Sequence, residues 1–261
     1  MRPLGVIGHL SRDVVAGGEP RIGGGPWHAA RALRALRHDA VVFAKCGDDD
    51  RRTFGTQLAT LGLPVSLATG GDTTAFSFSY DDAGGRTMSV DAVGDPWHID
   101  DLAQNVLRRV AWLQVAPLLH GDFDADVLAW LARDRRILFD GQGLVRVRET
   151  GPLQLDGSLD RDLLQHVSVL KLAVEEAEAV GDVTELGVPE VLVTYGAGGA
   201  DVFTREGRVH VAAREVRHDP TGAGDAFSAV YAASRAEGHA PVSAARRATA
   251  LVAALLSGRE R

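Results

Sequence analysis

The chain has 261 residues, of which 45% are hydrophobic, and 28 Lys and Arg against 35 Asp and Glu give a formal net charge of −7. This is an ordinary globular composition, which excludes whole-chain disorder and a coiled coil. The net negative charge does not fit a nucleic-acid binder, which carries clustered basic residues. The single cysteine, Cys46, excludes an internal disulfide framework or a cysteine-based zinc site. The first residues do not resemble a signal peptide, and no apolar run reaches the length of about 18 residues that predicts a transmembrane helix. We therefore expect a cytoplasmic protein that binds neither nucleic acid nor a membrane.

Short apolar runs alternate with amphipathic segments along the chain. Strands are predicted at Leu4–Ile7, Ala40–Lys45, Val110–Val115, Arg136–Asp140, Val167–Leu172 and Glu190–Thr194. Helices are predicted from Pro26 to about Arg37 and over about 50–61, 99–109, 122–133, 174–180, 223–237 and 241–256. This alternation predicts a mostly parallel α/β sheet.

Two segments predict antiparallel hairpins. Thr74–Tyr80 and Arg86–Val90 flank the turn residues 81–85, and Val202–Phe203 and Val209–Val211 flank the turn at 205–207. We expect one domain over 1–261, in which the first hairpin forms a small β flap around 74–91. The segment 141–158 is predicted to lack helix and strand, and long loops of this kind are often functional.

A glycine-rich turn precedes the first of the two C-terminal helices. Gly222 and Gly224 allow a sharp turn at the helix start, where free backbone N–H groups and the helix dipole form an anion site. Asp225 lies beside that site, which is unfavourable for binding an anion alone. The pairing suits a reaction in which a hydroxyl loses its proton while a phosphoryl group arrives. The alternative interpretation is an acid-capped helix with a structural glycine turn.

Two common nucleotide-binding motifs do not occur. Neither Lys45 nor Lys171 follows a glycine, so the chain has no P-loop. No G-x-G-x-x-G follows the first strand, so a Rossmann dinucleotide site is not predicted.

The glycine turn carries a family resemblance. The run Asp219-Pro220-Thr221-Gly222-Ala223-Gly224-Asp225 closely resembles the C-terminal signature of the ribokinase-like (PfkB) carbohydrate kinases. Further segments resemble that family's motifs in the same order: Asp13 after the first strand, Gly23-Gly24-Gly25 before the first helix, Gly47-Asp48-Asp49 after the second strand, Glu176 near the magnesium ion, and Thr194 to Gly199 at the nucleotide. The resemblance covers essentially the whole chain.

The resemblance implies a fold, a reaction and a set of site residues. The fold is a ribokinase-like α/β sandwich with a mostly parallel central sheet and a reduced β flap. The reaction is transfer of the γ-phosphoryl group of ATP, with Mg²⁺, to a hydroxyl of a sugar, polyol or nucleoside. The expected partners are a small polyhydroxylated substrate and ATP, and the chain is expected to be a monomer or homodimer. The implied site residues are Asp225, Gly222, Ala223 and Gly224 for catalysis, Asp13, Gly24, Gly25 and His28 for the substrate, Thr194, Gly196, Gly199 and Thr221 for the nucleotide, and Glu176 for the metal.

Two motifs depart from the family pattern. Ala173 stands where the family's Asn-x-x-Glu motif has its Asn, and Trp27 and His28 occupy a region where many members have an Asn that contacts the sugar. Trp27 offers an apolar face to a sugar ring or, alternatively, belongs to the core. Asp13 as a turn cap, His28 as a packed histidine and Glu176 as a helix-start acid are the corresponding structural alternatives.

The missing Asn also supports a rival function. A non-catalytic metabolite sensor on the same scaffold would not need the metal motif, whereas the intact Asp225 and its turn favour a kinase. The run from Asp140 to Arg146 resembles a segment of the inositol-kinase-like branch of the family, which favours a polyol.

Overall fold

The computed structural model describes residues 3–15, 17–80, 86–102, 107–214 and 221–258. Asp219 and Pro220 of the predicted signature and the hairpin turn 81–85 lie outside the described residues. The described strands, in chain order, are β1 Leu4–His9, β2 Ser11–Val15, β3 Arg21–Gly23, β4 Ala40–Cys46, β5 Val65–Thr69, β6 Ala75–Tyr80, β7 Arg86–Ala92, β8 Trp112–Ala116, β9 Arg136–Asp140, β10 Gly151–Pro152, β11 Val169–Ala173, β12 Glu190–Thr194, β13 Ala200–Thr204 and β14 Gly207–Val211.

The α-helices pack on both sides of the larger sheet. They are α1 Gly25–Ala35, α2 Arg51–Ala59, α3 Ala125–Ala132, α4 Gln142–Val145, α5 Arg161–Leu164, α6 Val174–Val180, α7 Ala223–Ala236 and α8 Pro241–Ser257. Pro26 lies in the first turn of α1, as predicted, where its missing N–H costs no hydrogen bond. Of the helices described, none has the length and apolar character needed to cross a membrane.

The larger sheet has nine strands in the order β14-β13-β12-β11-β9-β8-β1-β4-β5. Its strands are parallel from β5 to β12, and β13 and β14 add an antiparallel edge. Consecutive side chains of a strand point to opposite faces. Val6 shares a buried cluster with Leu33 of α1 and Val230 of α7, whereas Ile7 belongs to the cluster that contains Leu128 of α3. Burial on both faces explains why these strands are continuous apolar runs.

A second sheet has five strands in the order β10-β7-β6-β2-β3. The predicted hairpin is present as β6 and β7, but the flap is larger than one hairpin because β2, β3 and β10 join it. These three strands escaped prediction because they are short and β2 begins with the polar run Ser11-Arg12-Asp13. Phe76 and Phe78 pack with Leu118, which follows β8, so the second sheet lies over the carboxyl ends of the parallel strands.

Two secondary-structure predictions are wrong. The segment 141–158, predicted to be structureless, contains α4 and β10, because its apolar residues Leu144 and Val145 are buried in the main core. The start predicted for the helix over 99–109 is also wrong: Ile99–Asp101 form a short 3₁₀ turn and Leu102 has an extended conformation, while residues 103–106 lie outside the described residues. The Asp101 carboxylate accepts hydrogen bonds from the Lys45 ammonium and from the His98 backbone N–H, and these two bonds stabilise the tight turn.

Candidate active site

A cavity of about 450 Å³ lies at the carboxyl edge of the parallel strands, beneath the second sheet. This is the edge at which open α/β sheets place their ligands. All of the predicted site residues except Gly199 line this cavity. Gly199 lines an adjoining cavity of about 360 Å³, and Thr194, Gly196, Ala223 and Gly224 face both. The structure therefore brings the predicted residues together at one site with two connected compartments.

The glycine turn forms the boundary between the two compartments. Gly222 has a left-handed backbone, with φ of 77°, and a Cβ there would lie 2.2 Å from Nδ1 of His28. Only glycine fits this position, both for its backbone and for its contact with the His28 ring. Helix α7 begins at Ala223, and the N–H groups of its first turn have no partner within the helix. The turn therefore presents backbone donors and a positive helix dipole to an anion.

Asp225 lies in the first turn of α7 and is buried. Its Oδ1 has no hydrogen-bond partner among the described residues, and Gln114 Nε2 donates to its backbone carbonyl at 3.3 Å. Burial raises the pKa of Asp225 to about 6, although the charges of Lys171 and Arg146 act in the opposite direction. A buried acceptor with a raised pKa is suited to take a proton near neutral pH.

Lys171 supplies a cation beside the turn. A Cβ on Gly224 would lie 3.0 Å from Lys171 Nζ, and the same ammonium pairs with the buried Asp140 carboxylate at 3.1 Å. Burial alone would lower the pKa of Lys171, but the negative charges of Asp140, Glu176 and Asp225 together outweigh burial, and the pKa is raised. Lys171 therefore stays protonated. Gln114 Nε2 also donates to Asp140, at 3.3 Å, so this buried pair is linked to the backbone of Asp225.

The second sheet gives the cavity one carboxylate and an apolar wall. Asp13 of β2 accepts the Ser11 hydroxyl at 2.7 Å, and its charge raises the pKa of Asp225. Phe76, Phe78 and Met88 of the second sheet line the same space. A small ring with several hydroxyl groups matches a compartment that has polar and apolar sides.

Comparison with known proteins identifies the family. Residues 159–259 match the pfkB family of carbohydrate kinases. The whole fold matches a solved ribokinase of Thermotoga maritima with a TM-score of 0.73 and 18% identity, covering 98% of this chain and 93% of that one. The chain belongs to the ribokinase-like PfkB family. The fold and family predicted from the sequence are thus confirmed.

Two further PfkB relatives have names that specify their ligands. A pyrophosphate-dependent kinase of the ribokinase family, solved with a pyrophosphate analogue and myo-inositol, has a TM-score of 0.83 and 25% identity, covering 97% of this chain and 95% of that one. An inositol 3-kinase of Zea mays is 35% identical over 205 residues, which are 74% of this chain and 52% of the relative. The matched region thus spans about half the length of that curated relative.

The metal motif of the PfkB family is only partly present. Ala173 has no side-chain ligand, and its backbone N–H donates to Glu176 Oε2 at 2.8 Å at the start of α6. In the described parts of the chain, no three His, Cys, Asp or Glu side chains are grouped to hold a metal ion. Mg²⁺ in phosphoryl-transfer sites is usually held by one or two carboxylates, water and the phosphates of the substrate. Glu175 and Glu176, both at the cavity wall, fit such a role.

One residue behaves differently from the sequence prediction. The Trp27 side chain packs at the edge of a core cluster with Leu10 and Phe54 and does not line the cavity, so the prediction that it offers a face to the substrate is wrong. His28 follows Trp27 directly in α1, and it does line the cavity. The orientation of α1 about its axis decides this, and the sequence does not specify that orientation.

Two charged residues of the site were not predicted. Lys171 was considered for the absent P-loop and as the start of the segment, up to Glu176, that resembles the metal motif. Arg146 was considered only as part of a segment resembling inositol kinases. A lysine within an otherwise apolar buried strand is the signal that identifies Lys171, because a buried cation requires a partner. Arg146 follows α4, in the segment that was predicted to be a loop, and its side chain lines the cavity.

Proposed function

We propose that the chain transfers the γ-phosphoryl group of ATP to a hydroxyl of a cyclic polyol, with an inositol as the first candidate. The observation that carries this proposal is the buried Asp225 oxygen that lacks a described partner, next to the glycine turn. A binding protein for anions gains nothing from a carboxylate at this place, whereas a kinase needs an acceptor for the hydroxyl proton.

The proposed reaction is a direct displacement. The acceptor hydroxyl donates its hydrogen to Asp225, and its oxygen forms a bond to the γ-phosphorus as the bond between that phosphorus and the bridging oxygen of ADP breaks. The proton passes to Asp225, and ADP leaves with the bond's electron pair. Backbone N–H groups at the start of α7 and the Lys171 ammonium stabilise charge on the phosphoryl oxygens. Glu175 and Glu176 would hold Mg²⁺ through its water molecules, and the ion would neutralise phosphate charge.

The second compartment supports ATP as the donor. It adjoins the glycine turn, and Val252, Ala253 and Leu256 of α8 give it an apolar wall. An apolar wall can contact the flat face of a nucleobase, whereas inorganic pyrophosphate has no apolar group to place against it. Pyrophosphate is the second candidate donor, because the solved relative with myo-inositol is pyrophosphate-dependent.

The acceptor is proposed from three observations that agree. The Zea mays relative is an inositol 3-kinase, and the solved pyrophosphate-dependent relative is complexed with myo-inositol. The segment from Asp140 to Arg146 contributes Gln142 and Arg146 to the cavity wall. Asp13 accepts hydrogen bonds, as adjacent hydroxyls of a cyclic polyol require.

A donor-consumption screen tests the proposal. The chain is incubated with ATP or pyrophosphate and Mg²⁺, with myo-inositol, ribose or inosine as acceptor. We expect acceptor-dependent ADP formation that is fastest with myo-inositol. Binding of polyols without consumption of either donor would favour the metabolite sensor and contradict the proposal.

A further inference from the structure

Arg146 is a charged residue of the cavity wall to which the proposed reaction assigns no chemical step. Its backbone is held on both sides, because its N–H donates to the Gln142 carbonyl at 3.0 Å and its carbonyl accepts from the His120 N–H at 2.8 Å. Its side chain is only 19% exposed and lines the cavity that contains Asp225. Arg146 is therefore a positioned cation of the site, unlike a solvated surface arginine.

The described partner of Arg146 occupies little of its hydrogen-bonding capacity. Arg146 Nη2 lies 3.6 Å from Glu176 Oε1, which is an ion pair but too long for a hydrogen bond. The other Glu176 oxygen already accepts the N–H of Ala173. A guanidinium has five N–H donors, and a phosphoryl group can accept two of them side by side.

The cavity wall contains more acidic than basic side chains, so a bound phosphate needs a cation to offset the negative charge. The described wall contains two cations, Arg146 and Lys171, and four acids, Asp13, Glu175, Glu176 and Asp225. Lys171 is already paired with Asp140, which is fully buried. A phosphate donor brings further negative charge into this space. Arg146 is a second wall cation beside Lys171, and the ion pair described for it is the 3.6 Å contact with Glu176.

The location of Arg146 favours the transferring group over the rest of the donor. Among the charges that oppose the effect of burial on Asp225, Arg146 ranks directly after Lys171. Its field therefore reaches the carboxylate that is proposed to take the proton. In the proposed reaction the acceptor hydroxyl contacts that carboxylate and the transferring phosphoryl group comes next, so a wall cation close to Asp225 is also close to the phosphoryl group.

We propose that Arg146 binds the transferring phosphoryl group, donating N–H groups to its oxygens together with the backbone of the glycine turn. Arg146 stays protonated throughout and stabilises the charge that these oxygens carry as the group moves from donor to acceptor. This contact compensates for the polar side chain that the metal motif lacks at Ala173. This inference rests on the proposed phosphoryl transfer.

The test uses the full chain with Arg146→Gln, Arg146→Lys and the exposed control Arg52→Gln. Calorimetry measures the affinity for inorganic pyrophosphate and for myo-inositol, and the consumption assay measures kcat with ATP. We expect Arg146→Gln to weaken pyrophosphate binding by about 10-fold or more and to lower kcat by at least about 10²-fold, with myo-inositol binding unchanged. Arg146→Lys keeps the charge but not the paired donors, so its values should lie between those of the unchanged chain and Arg146→Gln. Arg52→Gln should change nothing.

A double variant separates this role from simple neutralisation of Glu176. If Arg146 only balances that carboxylate, Arg146→Gln combined with Glu176→Gln restores the affinity for pyrophosphate measured without Mg²⁺, a condition in which the proposed metal role of Glu176 does not enter. We expect no restoration. Circular dichroism checks that each variant is folded, and Arg146→Lys provides the comparison if Arg146→Gln is not.

The outcomes distinguish a failure of the Arg146 inference from a failure of the proposed function. Restoration in the double variant, unchanged pyrophosphate affinity in Arg146→Gln, or a loss confined to myo-inositol binding would overturn the inference while leaving the proposed function intact. If the unchanged chain consumes neither ATP nor pyrophosphate with any acceptor, the proposed function itself fails, and the inference fails with it.

Discussion

Asp225 combines a proposed catalytic task with a cost in stability. Burial raises its pKa to about 6, whereas an aspartate in an unfolded chain titrates near its ordinary value of about 4. Between these two pH values the folded chain binds the proton more tightly than the unfolded chain, so this group makes the folded state less stable as pH rises. Asp225 therefore destabilises the fold at neutral pH, as expected of a residue retained for function.

Asp225→Asn should separate activity from stability. We expect kcat to fall by about 10² to 10⁴-fold because the base is lost. At pH 7 the free energy of unfolding should increase by about 1 to 3 kcal/mol, and this gain should vanish towards pH 4. Thermal unfolding at both pH values and steady-state kinetics measure the two effects. The exposed Asp100→Asn should show neither, and a variant with unchanged kcat would contradict the assignment of the base.

Asp13 is proposed to bind the acceptor, and its substitution should affect that partner alone. Asp13→Ala removes charge-assisted hydrogen bonds worth about 1.5 to 3 kcal/mol each, so calorimetry should show at least about 10-fold weaker binding of myo-inositol. Affinity for ATP should be unchanged, because the backbone N–H groups proposed to hold its phosphates belong to the glycine turn and the start of α7. Asp91→Ala, the same change at an exposed position of the second sheet, serves as the control. Equal losses for both ligands would argue against a separate acceptor subsite.

At the residue scale, motif residues were easier to predict than charges without a motif. Asp225, Asp13 and Glu176 were found because each lies in a short pattern at the end of a strand or the start of a helix. Lys171 and Arg146 gain their places from tertiary packing, which brings β11 and the end of α4 to the same cavity. Their proximity to Asp225 depends on strand order, which local sequence does not encode.

The glycine turn is the element at which an effect on kcat can be separated from an effect on stability. Gly224 has an ordinary helical backbone, so Gly224→Ala should not destabilise α7. The added Cβ would meet the Lys171 side chain, with Nζ at 3.0 Å and Cε at 3.7 Å, so Nζ would have to shift by only a few tenths of an ångström. It would, however, occupy space beside the backbone N–H groups that face the phosphate. We expect kcat to fall by about 10-fold or more, with an unchanged melting temperature.

The control for this element is Gly55→Ala in α2. Its added Cβ would make an ordinary contact of 3.6 Å with Leu67, so activity should be unaffected and stability should rise slightly. If Gly224→Ala behaves in the same way as Gly55→Ala, the turn is only structural.

At the element scale, apolar strands and long helices were predictable, and short polar strands were not. The bounds predicted for α6 and β12 agree with the structure, because period and flanking residues both mark them. Strand β2 carries Asp13 but reads as polar, since it lies in the second sheet and is only partly buried. Its strand conformation depends on pairing with β6, which lies more than sixty residues away in the sequence.

For the whole molecule, alternation of strands and helices predicted the parallel sheet, and the signature around Gly222 predicted the family. The extent of the second sheet was underestimated, because β10 reaches it from a segment after β9. That same segment brings Arg146 to the cavity. The prediction of one domain over 1–261 stays a prediction.

Phosphorus NMR on the complete reaction tests the central claim most directly. The full chain is mixed with Mg²⁺, ATP or pyrophosphate, and myo-inositol, ribose or inosine, and the Asp225→Asn chain is run in parallel. We predict a phosphomonoester resonance that requires both a donor and an acceptor, strongest with ATP and myo-inositol, and undetectable over the same time with Asp225→Asn. No phosphomonoester from any combination, or equal amounts from both chains, would contradict the account.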